Sequence, residues 1–335
     1  MTTATQQKPV SRLGAVRRGK QSHAPRYLFY GAEGVGKSTL ASNSESPIIL
    51  DLEGADQIDV ARYMFRDDDF GHVPQSLADV MSAIADLRTS KHDFKTLIID
   101  TITSLESLVW DYVCQKYSGK KNAAFNKSGA TITSIEGFGY GKGYNCAVDE
   151  LRRVCHELER LRLERGMTII LLGHSIVKAF KNPTGDDFDR YQIRMHKDAA
   201  GLLMQWSDVV GYCAFEEGAT KDNTSDDRTR GFATGRRLMH LKREAAWDAK
   251  TRIALPDYVE LEPGNSWAPF AQAIADGQSL TSKELAQLIN KELQRIGDNE
   301  LAAKVTDAVT KAKGETSVLS QYLNNLKTTN AKETN

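Results

Sequence analysis

The residue types best suited to chemistry lie in one short stretch, GAEGVGKST, Gly31 to Thr39. It fits the pattern G-x-x-x-x-G-K-[ST], with Gly31, Gly36, Lys37 and Ser38 at the fixed positions. Glycines let a backbone curl until its N–H groups converge on an anion, and a helix that follows directs its positive end at the same charge. A nucleoside triphosphate is expected along Gly31, Ala32, Glu33, Gly34, Val35, Gly36, Lys37, Ser38 and Thr39. Lys37 is expected to reach the β- and γ-phosphates and Ser38 to ligate Mg²⁺. Two acids downstream suit the same chemistry. PIILDLEG (Pro47 to Gly54) is a short apolar run closed by Asp51 and Glu53, and the run at Thr96 closes on Asp100. An Asp at that place orders the metal's coordination shell. MTIILLGHS (Met167 to Ser175) ends at His174, whose ring can donate to a phosphate.

These groups must be delivered by strands that end at one edge. RYLFY (Arg26 to Tyr30) reads as a strand entering the glycine loop and STLASN as a helix leaving it. Gln75 to Ser90 places Leu77, Val80, Met81, Ile84 and Leu87 on one helical face, and Asp149 to Gly166 does the same with Leu151, Val154, Cys155, Leu158 and Leu161. A short helix around AAGLLMQW leads to a strand over Asp208 to Glu216, and Arg236 to Glu244 alternates like an antiparallel strand. Strands alternating with helices predict an α/β fold with a mostly parallel central sheet and helices on both faces.

Residues 1–25 read as a flexible basic arm carrying Arg12, Arg17, Arg18 and Lys20, and residues 26–277 as the core. Residues 278–328 read as a small three-helix C-terminal appendage, opened by a Thr281/Glu284 capping box, with 329–335 a disordered tail. Two stretches read as loops. Residues 118–145 interleave Lys120, Lys121, Lys127 and Lys142 with Phe125, Phe138 and Tyr140, and Val177 to Lys197 carries Lys178 and Lys181. Lysines that track phosphates beside rings that stack on bases suit single-stranded nucleic acid.

The 335 residues carry 44 basic and 44 acidic side chains, so any nucleic-acid contact must be local. No apolar run reaches membrane-spanning length and no signal peptide is evident, which predicts a cytoplasmic protein without membrane partners. The four cysteines show no C-x-x-C spacing and read as reduced core thiols.

The motif order resembles the RecA-like P-loop ATPases. In those the strand after the P-loop helix ends in an acid pair whose Glu is the hydrolytic base. Asp51-Leu52-Glu53 matches, and Asp100 matches the Mg²⁺-linked Asp. His174 stands where that family has a Gln sensing the γ-phosphate. Tyr30 to Thr39, Asp51 to Gly54 and Ile99 to Thr101 are more specifically similar to phage-encoded core-only recombinases of the Sak group, over residues 26 to about 256. That resemblance implies a RecA-like core, ATP with Mg²⁺, and a DNA-stimulated ATPase acting on single-stranded DNA in phage recombination or annealing. It also implies a homo-oligomer and a single-strand-binding protein as partner, with the host cytoplasm as location. Glu53, Lys37 and His174 are then the catalytic candidates, Ser38 and Asp100 the metal candidates. Lys242, Arg243, Lys250 and Arg252 are the candidates to reach a neighbouring subunit's nucleotide. The rival readings are a ring-forming helicase or motor, a nucleotide-gated loader of a DNA-processing partner, and a small-molecule kinase. A GTPase lacks support, since no N-K-x-D motif is present.

Overall fold

The apolar runs that precede the candidate acids form the middle of one sheet. A computed structural model describes residues 23–54, 58–65, 72–122, 124–221, 229–264, 266–279, 282–312, 316–327 and 329. The basic residues of the N-terminal arm, the Thr281 capping box and most of the C-terminal tail lie outside the described residues.

In chain order the core elements are β1 (Arg26–Gly31), α1 (Lys37–Ser42), β2 (Pro47–Asp51), β3 (Ala61–Arg62), α2 (Leu77–Thr89), β4 (Thr96–Asp100) and α3 (Ile102–Tyr117). There follow α4 (Lys142–Arg165), β5 (Thr168–Phe180), β6 (Phe188–Ile193), α5 (Lys197–Trp206), β7 (Val209–Lys221), β8 (Thr229–His240), β9 (Lys250–Thr251), β10 (Tyr258–Glu260) and α6 (Trp267–Ser279). The sheet runs β10-β8-β7-β1-β5-β4-β2-β3, parallel from β7 through β3 and antiparallel at β8 and β10. β5 thus separates the strand that enters the glycine loop from the strand that ends at Asp100. This is a RecA-like P-loop fold.

Both faces are covered, as a parallel sheet requires. Alternation along β1 sends Leu28 and Tyr30 to a core shared with Val80, Ile84, Val109, Leu151 and Leu158 of the long helices. It sends Tyr27 and Phe29 to the opposite core, shared with Leu40 of α1 and Phe270 of α6. Helix α6 completes that face. Phe270 is fully buried, its ring 5.2 Å from Tyr27 and 5.4 Å from Phe29, edge to face. Its sequence signal is the spacing of Trp267, Phe270 and Ile274, which precede the expected compositional boundary at 278.

Three helices follow: α7 (Ser282–Ile296), α8 (Asn299–Lys311) and α9 (Thr316–Lys327). They bury Leu285, Ile289, Leu293, Val305, Leu319 and Leu323 in a small core of their own. Among the described residues no helix is long and apolar enough to cross a membrane.

Both expected loops are more ordered than their composition predicts. Within 118–145, Asn122 and Asn126 exchange backbone hydrogen bonds, Ile135–Phe138 forms a 3-10 turn, and α4 starts at Lys142 rather than Asp149. The glycines and lysines dilute the apolar periodicity, yet Ile132, Ile135 and Phe138 are buried. The stretch after His174 is a hairpin. β5 runs on through Phe180 and pairs antiparallel with β6, Ser175 opposite Ile193 and Phe180 opposite Phe188. Cross-strand packing of Phe180 on Phe188, 5.2 Å apart, and the Lys181–Asp187 ion pair close it.

Phe270→Ala should empty the centre of the α6 interface and destabilise the protein by about 3–5 kcal/mol. A denaturant titration measures it as a lower midpoint with an unchanged slope.

Candidate nucleotide site

The site begins where β1 stops. Gly31 is pressed against β7, and a Cβ there would lie 1.9 Å from the Cys213 carbonyl oxygen, so only glycine fits. Gly36 has φ of 101°, a left-handed turn that points the chain into α1. Lys37 opens that helix. It is buried, and its Nζ donates to the loop carbonyls of Gly31 at 3.1 Å and Ala32 at 2.7 Å. Burial lowers the ammonium pKa, opposed by the nearby Cys213, Asp100, Glu53 and Glu33. A buried lysine held by carbonyls at the loop mouth is poised for a polyanion, which would reverse the desolvation cost.

Strand register brings the other groups to the same edge. His174 lies opposite Gly31 across the β1–β5 pair, and Asp51 lies opposite Asp100 across β2–β4. The Ser38 hydroxyl and the buried Asp100 carboxylate line the same cleft, and the hydroxyl favours the charged form of the acid. Burial raises the Asp100 pKa, with Glu53 and Asp51 adding to the effect against Ser38 and Lys37. Mg²⁺ prefers hard oxygen donors and keeps most of its shell as water and phosphate oxygen. An adjacent hydroxyl and carboxylate at the loop fit that demand. Among the described residues no group of three His, Cys, Asp or Glu could hold a metal by protein ligands alone.

Asp51 and Glu53 divide the work of their motif. Asp51 is buried, accepts from the backbone N–H of Glu53 at 3.0 Å and of Gly54 at 2.8 Å, and pairs with Arg62 at 2.6 Å. It shapes the turn that carries Glu53 into the cleft. There Glu53 accepts from the hydroxyls of Thr101 at 2.6 Å and Ser104 at 2.9 Å, and His174 Nε2 lies 3.1 Å from it. Burial pushes the Glu53 pKa up, but these hydroxyls and His174 more than reverse that and hold it below the ordinary glutamate value. The group is a carboxylate at neutral pH. Thr101 also caps α3, accepting from the Ser104 backbone N–H at 3.3 Å, so one helix start serves both purposes.

The cleft has a volume of about 750 Å³, enough for a nucleotide, and Lys37, Ser38, Glu53, Asp100 and His174 line it together. Arg194 and Arg237 also line it. Neither belongs to a motif; the only sequence signal for Arg237 is the alternation of β8. The four candidates for a neighbour's site lie elsewhere, each engaged within its own chain. Lys242 pairs with Asp257 and Arg243 with Asp248. Lys250 donates to the carbonyls of Met204, Gln205 and Ser207 at the end of α5, and Arg252 pairs with Asp208.

Of the nucleic-acid candidates, Lys120, Lys121, Lys127 and Lys178 are exposed and Tyr140 is fully so. Lys142, at the start of α4, and exposed Lys181 have intrachain partners, Ala124 and Asp187. Phe138 is buried, edge-on to Tyr117, and Phe125 packs on the same ring, so these two belong to the core rather than to a stacking surface.

The sequence profile of the AAA_24 family, described as an AAA domain, matches residues 23–253. No curated protein matches the chain. Among solved structures, the crystal structure of the RadB recombinase is similar at 13% identity, over 72% of this chain and 89% of that one, with a TM-score of 0.33.

Among the described residues two buried acids, Glu106 and Glu150, belong to no motif; Glu150 is paired with Lys116 and Arg153. Glu106, two residues beyond Ser104 on α3, accepts from the His196 backbone N–H at 3.0 and 3.1 Å, and burial pushes its pKa up to about 7. A carboxyl raised in the folded state binds its proton more tightly there than unfolded. Ionising it therefore costs stability as pH rises from the unfolded value, about 4.3, through 7. Glu106→Gln should melt increasingly above the parent protein as pH goes from 5 to 8, measured by thermal melts across that range.

Proposed function

This chain belongs to the AAA domain family, and on that footing we propose that it binds ATP with Mg²⁺, hydrolyses it, and uses the cycle on single-stranded DNA. The observation that carries the hydrolytic reading is the ionised Glu53 carboxylate, fixed by Thr101, Ser104 and His174 in the cleft that holds Lys37, Ser38 and Asp100. Lys37 neutralises charge on the phosphates, and the loop N–H groups cradle them. Mg²⁺, beside Ser38 and Asp100, supplies charge stabilisation to the phosphoryl oxygens when bound. Glu53 accepts the proton of the attacking water, and Asp51 keeps the turn that aims it.

His174 joins Glu53 to the β5–β6 hairpin, since His174 lies on β5 just before that strand runs on into the hairpin. A change in what Glu53 binds is therefore felt at the hairpin root. Exposed Lys178 on that hairpin, with Lys120, Lys121, Lys127 and Tyr140 on the segment between α3 and α4, supports the DNA reading by its chemistry. Recombination or annealing in a phage, self-association and a single-strand-binding protein as partner are the finer parts of the proposal. They rest on the resemblance of Tyr30–Thr39, Asp51–Gly54 and Ile99–Thr101 to the Sak group.

The test is the ATP turnover rate with and without single-stranded DNA, at low and high salt. Stimulation by DNA that fades with salt is expected; salt-insensitive turnover with no DNA binding would contradict the DNA reading and favour a loader. Replacing Lys120, Lys121 and Lys127 by Ala should flatten the log–log salt dependence of DNA binding by about 2, roughly 0.7 per lost phosphate contact.

A further inference from the structure

A bound triphosphate carries more negative charge than Lys37 and Mg²⁺ together would neutralise, and the four cations expected to act from a neighbour are engaged in their own chain. The cleft holds its own alternative. β8 is antiparallel to the rest of the sheet, so its earlier residues reach the edge where the glycine loop sits. The period of two puts Met239 of β8, and Leu241 just beyond its end, in the core shared with Leu40 of α1. Arg237, two residues before Met239, lies on that face one step nearer the loop. Register agrees: Met239 lies opposite Cys213, whose other neighbour is Gly31, and Arg237 lies opposite Phe215, two residues beyond.

The side chain points at the phosphate loop. Arg237 Nη1 lies 3.4 Å from where a Cβ on Gly36 would stand. Its guanidinium is supported by the Phe215 ring, 5.7 Å to the centroid, and its backbone carbonyl accepts from the Leu261 N–H at 2.8 Å. Among the described residues no carboxylate is paired with it. The contrast with Arg236 is informative, since that residue points to the other face and is bound by Glu216 and Glu260. Arg194, across the cleft on the segment leaving β6, lies 3.7 Å from Glu33 and already has a counter-charge.

We propose that Arg237 is a phosphate-binding residue acting in cis: it supplies from the same chain a second cationic side chain, beside Lys37, to the terminal phosphates of the bound nucleotide. This rests on the ATP-binding reading above. An arginine held by an aromatic ring and a strand backbone loses little freedom on meeting a phosphate, and its planar fork suits two phosphate oxygens. Each subunit then carries a complete charge set, and a neighbour is not needed to balance the γ-phosphate.

The experiment compares Arg237→Ala and Arg237→Lys with the parent protein by affinity for a non-hydrolysable ATP analogue and for ADP, and by turnover. Arg237→Ala should lose about tenfold in affinity for the analogue while ADP affinity stays close to that of the parent, and turnover should fall about a hundredfold or more. Arg237→Lys should recover part of the analogue affinity. Arg236→Ala should match the parent in both measurements. Mixing Arg237→Ala with Lys37→Ala subunits separates cis from trans. No recovery of turnover is expected, because no subunit in the mixture has both groups; recovery would overturn the cis assignment. Analogue affinity unmoved by Arg237→Ala would overturn the proposal while leaving ATP binding intact. A parent protein with no affinity for ATP would overturn the underlying reading and this one with it.

Discussion

Everything at the cleft depends on one alignment of strand ends. β5 lies between β1 and β4, and the parallel register sets His174 level with Gly31 and Asp51 level with Asp100. Parallel strands joined by helices all present their C-terminal ends to one edge, and there the backbone is free to turn toward a ligand. A slip of one residue in β5 would turn His174 away from Glu53 and carry Leu172 from its own core to the one on the opposite face, since successive side chains alternate faces. The buried runs Ile169 to Leu172 and Leu97 to Ile99 hold that register with apolar packing, and the polar groups at the edge inherit the accuracy.

The consequence for chemistry is that Glu53 is positioned by three different elements. Asp51 fixes the turn, α3 supplies the Thr101 and Ser104 hydroxyls, and β5 supplies His174. Donors of this kind keep the carboxylate charged despite its burial. The same donors tie it to α3 and to the hairpin, and Glu106 ties α3 onward to the start of α5 through His196. The nucleotide site and the segments proposed to meet DNA thus share one helix and one strand.

The phosphate loop, Glu53 and Asp100 were legible because each ends an apolar run, and a run of that kind has few placements in an α/β fold. The hairpin after His174 was not legible as strand, because its outward positions carry Lys178 and Asp189 and its pairing is local to itself. Phe138 reads as an accessible ring in the sequence because glycines surround it; burial against Tyr117 is a tertiary fact. Arg237 was hidden for a similar reason. Its sequence neighbour Arg236 is equally charged, and only the pairing of β8 with β7 decides which of the two faces the loop.

The assignment of Glu53 is tested most directly by single-turnover conversion of Mg²⁺-ATP by Glu53→Gln, with nucleotide affinity measured on the same protein. Gln keeps the size and can accept the same hydroxyl donors but cannot take the water's proton. ATP should bind with near-parental affinity while conversion falls by about 10²–10⁴-fold. Conversion at the parental rate would contradict the placement of the base at the end of β2 and with it the mechanism derived from this edge.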